Sequence, residues 1–134
     1  TLLAIIISFM YPLFMAIQIF GTTKCFNTKK AERFFKERNI PVQFINLKEK
    51  EISPGEMENI IKGLMKNAGS PLEVIEMLAD KENKDYSKFA YLDDEDKVEK
   101  LITNPSLLKT PIVRNTATKD VTVGDAQALW KTWT

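Results

Sequence analysis

Residues 17–31 read Ile-Gln-Ile-Phe-Gly-Thr-Thr-Lys-Cys-Phe-Asn-Thr-Lys-Lys-Ala, and this stretch decides the fold. Its apolar start predicts a short strand, the glycine and threonines predict a turn, and the remainder predicts a helix. Cys25, the only cysteine in the chain, therefore lies where the strand gives way to the helix. The unpaired N–H groups and the dipole of the helix favour a thiolate there. Lys24, Lys29 and Lys30 add positive charge around it.

A second interpretation of Cys25 stays open on sequence grounds. Free cysteines are among the most buried residue types, and burial raises the pKa of a thiol. Under the first interpretation Cys25 is a reactive nucleophile, and under the second it is an inert apolar side chain. Its position in the sequence favours neither.

The residues after Cys25 complete a predicted βαβ unit. The apolar residues that recur at helical spacing are Ala31, Phe34 and Phe35. They mark the buried face of a helix for which Asn27 or Thr28 is the expected N-cap. Pro41 follows the helix, and the apolar residues within 42–46 predict a second strand. Two strands joined by a helix in this way are expected to be parallel.

A helical insertion over about residues 52–108 comes next. It contains two helix-start signals of the same kind, Ser53-Pro54-Gly55-Glu56 and Ser70-Pro71-Leu72-Glu73. Serine as N-cap, proline at the first helical position and glutamate three residues after the cap together favour a helix. A short helix is expected around residues 86–89. The acidic residues 93–96 are interpreted as the start of another helix, favoured by its dipole, rather than as a metal site.

The last part of the chain returns to strands. Residues 111–114 and 120–123 predict a hairpin, with turn residues between them. Asp125 is the expected cap of a closing amphipathic helix over residues 126–133. Its two tryptophans are interpreted as packing residues rather than as a ligand platform.

Composition limits the chemistry. The chain has 134 residues, a formal net charge of +1, one cysteine and no histidine. Catalysis by Ser-His-Asp or Cys-His groups is excluded, and we expect no bound metal and no bound cofactor. A net charge near zero argues against direct nucleic-acid binding. A lone cysteine forms no internal disulfide, which is typical of a reducing compartment, and we expect a cytoplasmic protein.

The beginning of the chain is apolar, and no charged residue occurs between Leu2 and Phe20. One interpretation is a membrane helix, because this length is close to the thickness of the hydrocarbon core. The favoured interpretation assigns residues 1–14 to a hydrophobic N-terminal extension and residues 15–134 to one domain. Membrane contact through residues 1–14 is then the less favoured alternative.

Two motifs in this order of elements resemble the ArsC/Spx branch of the thioredoxin-like superfamily. Residues 23–31, Thr-Lys-Cys-Phe-Asn-Thr-Lys-Lys-Ala, are similar to its C-x-x-[C/S/T]-[RK]-K-A start. Residues 104–113, Asn-Pro-Ser-Leu-Leu-Lys-Thr-Pro-Ile-Val, are similar to its N-P-x-L-L-x-R-P-I-V stretch. The resemblance implies an α/β, thioredoxin-like fold: a four-stranded mixed sheet flanked by helices, with a helical insertion. It also implies a cis peptide bond between Thr110 and Pro111, beside the cysteine.

The function that this resemblance implies is thiol-dependent reduction of the arsenate-reductase type. In those enzymes the cysteine attacks arsenate, arginines hold the oxyanion, and glutathione and glutaredoxin resolve the adduct. Here Cys25 is the expected nucleophile, resolved in trans by glutathione, glutaredoxin or thioredoxin. The expected oxyanion-binding or substrate-binding residues are Lys24, Thr28, Lys29, Lys109, Thr110 and Pro111. The sequence departs from the family pattern, because Thr110 replaces one arginine and Gly124 or a neighbour replaces another.

Two alternatives follow from the same resemblance. The first is a non-enzymatic Spx-type regulator that binds RNA polymerase, although Thr28 occupies the position of the second cysteine in the C-x-x-C pair of those proteins. The second is a monothiol glutaredoxin-like protein that forms mixed disulfides with glutathione. In every case we expect a monomer.

Overall fold

The computed structural model describes residues 17–134 together with Leu2, so the prediction for residues 1–14 lies outside the described part of the chain. The strands are β1 (Ile17–Gly21), β2 (Val42–Asn46), β3 (Ile112–Asn115) and β4 (Val121–Val123). The helices are α1 (Phe26–Glu37), α2 (Pro54–Ala68), α3 (Pro71–Leu78), α4 (Tyr86–Ala90), α5 (Asp94–Thr103) and α6 (Gln127–Trp130). Two short 3₁₀ turns cover Pro105–Leu107 and Lys131–Trp133.

The four described strands form one mixed sheet in the order β2-β1-β3-β4. β1 pairs with β2 in parallel and with β3 in antiparallel orientation, and β3 and β4 form an antiparallel hairpin. The α/β fold with a four-stranded mixed sheet is therefore confirmed. β1 and β3 are the two inner strands, and Ile17, Ile19 and Phe20 of β1 are all buried.

The alternation of side chains along the strands creates two cores, one on each face of the sheet. On one face Ile17 and Ile19 pack with α1 and with Trp130, which is fully buried. The indole nitrogen of Trp130 donates a hydrogen bond to the Thr122 hydroxyl at 2.8 Å. On the other face Phe20 packs against the helical insertion. The sheet is thus covered on both sides, and α1 is held against it from Cys25 onward.

The helix starts in the insertion follow the sequence signals. Ser53 and Glu56 form the predicted capping box, with each side chain bonded to the other residue's backbone N–H. Ser70 accepts a hydrogen bond from the backbone of Glu73, and Asp93 accepts one from the backbone of Asp96. The acidic run therefore caps α5, as the helix dipole favours.

A polar network that the periodicity does not reveal joins α3, α4 and α5. Tyr86 donates to a carboxylate oxygen of Glu76 at 2.7 Å, and the Lys97 ammonium lies 3.4 Å from the other oxygen. Lys97 is buried among the apolar residues of α5, with its ammonium 5.6 Å from the ring centre of Phe89. The Tyr86 hydroxyl is the main cause that lowers the pKa of Glu76. The carboxylate thus gives a partner to the buried Lys97 ammonium and to the half-buried Tyr86 hydroxyl.

The end of the chain differs from the prediction. A single helix over residues 126–133 was expected, but α6 is one turn long and a 3₁₀ turn follows it. Asp125 does not cap it, because Ala126 is the N-cap and the Asp125 carboxylate pairs with Lys30 on α1. Burial of Trp130 between α1 and the sheet fixes this segment more strongly than its helical periodicity does. Within the described residues no helix is both long and apolar enough to cross a bilayer.

Candidate active site

Cys25 is itself the N-cap of α1. Its backbone is extended, with φ −78° and ψ 121°, and its carbonyl accepts the first helical hydrogen bond, from Lys29 at 3.2 Å. The prediction that Asn27 or Thr28 caps the helix was therefore wrong, since both lie in its first turn. Their backbone N–H groups are among the unpaired donors of the helix start. The half-buried sulfur of Cys25 lies beside them.

A second segment, at the end of the insertion, brings Thr110 and Pro111 to this sulfur. The Lys109 N–H donates to the Leu78 carbonyl at 2.7 Å, which holds the segment against the end of α3. The Thr110–Pro111 peptide bond is cis. The Thr110 hydroxyl donates to the Cys25 sulfur at 3.0 Å, and the thiol faces the Thr110 carbonyl at 3.7 Å. The Pro111 carbonyl is occupied within the fold, because it accepts from the Gly124 N–H at 2.8 Å.

These contacts lower the pKa of the Cys25 thiol below its ordinary value. Burial is the largest single influence and acts in the opposite direction, since it raises the pKa. The Thr110 hydroxyl, the Thr28 side chain and the backbone N–H groups of Thr28 and Asn27 together outweigh it. No lysine is among the leading causes. Hydrogen bonds at the helix start, rather than the nearby ammonium groups, therefore favour the thiolate.

Thr28 is fully buried, and its hydroxyl has no hydrogen-bond partner within the described part of the fold. It is packed against Gly21: a Cβ atom on Gly21 would lie about 2.4 Å from the Thr28 Oγ1 and 2.6 Å from its Cγ2. The absent side chain at Gly21 thus allows the first turn of α1 to approach the end of β1. A buried donor without a partner is free to stabilise negative charge at the sulfur.

We expect the substitution Gly21→Ala to lower the free energy of unfolding by about 1–3 kcal/mol, as overpacking in a core does. The added methyl group must displace Thr28, so it should also raise the pKa of Cys25. Urea denaturation and alkylation rates measured against pH check both effects.

Gly55→Ala is the matched control, because nothing lies within 4 Å of a Cβ atom at Gly55. It lies within α2, where alanine is the better helix former. A Gly21→Ala protein as stable as the Gly55→Ala protein would contradict the tight contact.

The lysines around the site have different surroundings. Lys24 and Lys29 are exposed. The Lys30 ammonium lies 2.8 Å from the Asp125 carboxylate, so its charge is largely compensated. Lys109 lies over Gly124, with its Nζ 3.9 Å from the position that a Cβ atom would occupy there. Lys109 is exposed as well, and it directly precedes Thr110 in the chain.

The arginines are elsewhere. Arg33 and Arg38 lie on or just after α1, and the Arg38 guanidinium stacks on Phe34 at 3.6 Å from the ring centre. Arg114 pairs with Gln18 near the beginning of β1, whereas Cys25 follows its end. Gly124 has φ +78°, a conformation that L side chains rarely adopt. An arginine at that position would therefore need a different local backbone.

The structure thus brings Cys25, Thr28, Thr110 and Pro111 together. It leaves Lys24 and Lys29 as exposed charges on the same helix start. Thr110 was predicted as a substrate-binding residue at the position of a family arginine, and nothing in the sequence indicated that its hydroxyl donates to the sulfur. In the described part of the chain no group of three Cys, Asp or Glu side chains is arranged to hold a metal ion.

Comparison with known proteins gives matches at the level of structure only. No protein-family model matches the chain, and no curated protein matches its sequence. A solved structure from Bacteroides fragilis, described as ArsC family related, has a TM-score of 0.72 and 21% identity, over 90% of this chain and 100% of that one. An arsenate reductase from Vibrio cholerae has a TM-score of 0.71 and 18% identity, over 86% and 94%. An arsenate reductase (ArsC) related protein from Brucella melitensis has a TM-score of 0.61 and 19% identity, over 89% and 94%.

These similarities cover nearly the whole length of each solved chain, so the helical insertion is included in the shared architecture. At such low identity they establish the fold and leave the reaction open. The chain has the thioredoxin-like fold of the ArsC-related proteins.

Proposed function

We propose that the protein is a thiol-dependent reductase whose nucleophile is the Cys25 thiolate. The observation that supports this most directly is the hydrogen bond of 3.0 Å from the Thr110 hydroxyl to the Cys25 sulfur, in a site where the pKa of the thiol is lowered. A half-buried sulfur with such donors is both accessible and ionisable. An inert core cysteine would have neither property.

The reaction of first choice is the reduction of arsenate, the activity named for one of the proteins with this fold. The Cys25 thiolate bonds to arsenic and one arsenate oxygen leaves as water after protonation. An external thiol then attacks the Cys25 sulfur, and arsenic leaves as arsenite with two more electrons. Cys25 and the external thiol lose one electron each and form a mixed disulfide. A second external thiol releases Cys25.

Resolution must come from outside the chain, because Cys25 is its only cysteine. Glutathione, a glutaredoxin or a thioredoxin are the proposed donors, and each of them is a thiol reagent of reducing compartments such as the cytoplasm. The negative charge of the substrate would be held by the N–H groups of the first turn of α1, the Thr28 hydroxyl and the Lys109 ammonium.

A second candidate is thiol–disulfide exchange of the monothiol glutaredoxin type. It is favoured by the absence of any arginine beside Cys25 among the described residues. The ammonium group of lysine does not reproduce the bidentate hydrogen bonding of a guanidinium to a tetrahedral oxyanion. A disulfide substrate is uncharged at its reacting sulfur atoms and does not need bidentate binding by an arginine. Binding to RNA polymerase stays a prediction, which a pull-down under reducing and oxidising conditions tests.

One experiment separates these candidates. The protein is supplied with arsenate, glutathione and glutaredoxin, and the oxidation of NADPH is followed through glutathione reductase. In parallel it is treated with oxidised glutathione, and the glutathionyl adduct is measured by mass spectrometry. Protein already alkylated at Cys25 is the background. Arsenate turnover above this background supports the first candidate, and an adduct without turnover supports the second. If neither turnover nor an adduct is observed, the proposal is overturned.

A further inference from the structure

The positive charge of this protein is concentrated on the helix that follows Cys25. Residues 24–38 contain six Lys or Arg and two Asp or Glu, a net charge of +4 in a chain whose net charge is +1. The helical insertion, residues 52–108, contains seven Lys or Arg and twelve Asp or Glu, a net charge of −5. The protein is therefore electrically polarised although its total charge is small.

Part of this charge lines a groove beside α1. The groove has a volume of about 780 Å³. Its cations are Lys29, Arg33 and Lys36, and its apolar wall is formed by Ile40, Pro41 and Val42. We call the surface formed by these six residues the α1 groove. One carboxylate, Glu32, also lines it. Val42 begins β2, which is an edge strand of the sheet.

The cations of the α1 groove are not neutralised within the fold. Lys30, Lys62, Lys66 and Lys97 each form an ion pair with a carboxylate. Among the described residues, Lys29, Arg33 and Lys36 form none. Uncompensated charge on one helix face raises the local potential and attracts groups of opposite charge. Lys29, at one end of the groove, lies one helical turn after Cys25, whereas Val42, at the other end, pairs with Ile17 at the beginning of β1.

We propose that the α1 groove binds an acidic segment of the protein that reduces the Cys25 adduct. This inference rests on the proposed function, since a chain with one thiol needs a thiol partner. Lys29 and Lys36 lie about 10 Å apart along the helix axis, a length that three to four extended residues cover. A segment bound along this face would end at Lys29, one helical turn from Cys25, with the partner's own thiol beyond that end.

A protein segment fits this surface better than a nucleic acid does. The apolar wall of Ile40, Pro41 and Val42 suits side chains and backbone rather than a phosphate chain. The positive charge of the groove acts mainly on the rate of association and its dependence on salt.

The test uses the double substitution Arg33→Glu/Lys36→Glu, which leaves the contacts of Cys25 and Thr110 intact. The Cys25–glutathione mixed disulfide is prepared, and its reduction is followed with glutaredoxin, with thioredoxin and with dithiothreitol. At low ionic strength we expect reduction by at least one of the two proteins to be slowed about tenfold. Reduction by dithiothreitol, an uncharged small molecule, should be unchanged. Added salt should slow reduction of the unmodified protein's mixed disulfide until its rate approaches that of the variant.

Lys88→Glu/Lys100→Glu is the matched control, since both lysines are exposed and the change in net charge is the same. Equal slowing in the control would show a non-specific charge effect and overturn the proposal, as would no slowing with either protein. A second measurement needs no reactive thiol. Cys25→Ser protein is titrated with a labelled oligoglutamate peptide and with a single-stranded oligonucleotide of the same charge.

In this titration we expect the peptide to bind and the Arg33→Glu/Lys36→Glu changes to abolish binding. Preference for the oligonucleotide, or no peptide binding, would overturn the assignment of the groove. If no mixed disulfide forms at Cys25, the proposed function fails, and the peptide titration still decides whether the α1 groove takes acidic segments.

Discussion

Replacing Cys25 by serine is expected to abolish alkylation by iodoacetamide, the glutathione adduct and any reductase turnover. The reason is that the chain has no other cysteine and no histidine, so no second nucleophile of comparable reactivity exists. A serine hydroxyl is not ionised at neutral pH, and the donors that stabilise a thiolate here do not change that. The loss should therefore be complete rather than partial.

The same substitution should leave the fold intact, which makes the result interpretable. Cys25 is the N-cap of α1, and serine is among the residues most favoured at that position. We expect the free energy of unfolding to be unchanged or higher by up to about 1 kcal/mol. Urea denaturation measures this quantity. Turnover in the Cys25→Ser protein equal to that of the unmodified protein would show that the reaction does not pass through this sulfur.

Much of the architecture could be predicted because it is encoded in local patterns. Apolar residues at helical spacing marked α1, and paired signals of serine, proline and glutamate marked α2 and α3. The position of Cys25 at the junction of β1 and α1 follows from the turn residues before it. The cis bond before Pro111 was implied by the resemblance to a family, not by the local sequence.

The rest depends on contacts between distant residues, which a single sequence does not reveal. Lys30 pairs with Asp125, 95 positions later, and this pairing removes Asp125 from the helix cap that its position predicted. The sequence around Lys97 indicates an exposed lysine in a charged helix. In the structure, Lys97 contacts Glu76 and the ring of Phe89 inside the insertion. The short α6 results from the burial of Trp130, whose partners come from α1 and the sheet.

The candidate site also depends on contacts between residues that are distant in the sequence. The sequence identified Cys25 and Thr110 as neighbours only through the family motif. It attributed the lowered thiol pKa to the helix start and to nearby lysines, and it did not include a hydroxyl donor. In the structure the donors are hydroxyl and backbone N–H groups. A hydroxyl at 3.0 Å acts through a hydrogen bond whose strength depends on geometry, which no count of charges predicts.

Replacing Thr110 by valine, which has nearly the same shape but no hydroxyl, is expected to slow alkylation of Cys25 at neutral pH by about 3- to 10-fold. The hydroxyl is the largest of the influences that lower the pKa of the thiol, so its removal raises the pKa. A hydrogen bond to a charged group contributes about 1.5–3 kcal/mol. About half of this free-energy effect on the rate is offset, because a more basic thiolate is a better nucleophile.

The pH profile gives the sign of the effect. Below the pKa of both proteins the valine variant holds less thiolate and reacts more slowly. Above both pKa values each sulfur is fully ionised, so the variant should react as fast as the unmodified protein or faster. The two rate profiles are therefore expected to cross as pH rises. A mere loosening of the fold would instead change the rate in one direction at every pH.

Thr110→Ser is the control for this prediction, because it keeps a hydroxyl beside the sulfur while losing a methyl group. We expect its profile to lie close to that of the unmodified protein. If valine and serine shift the profile equally, packing rather than the hydrogen bond sets the reactivity of Cys25. If neither shifts it, the donors in the first turn of α1 suffice by themselves, and Thr110 has no part in activating the thiol.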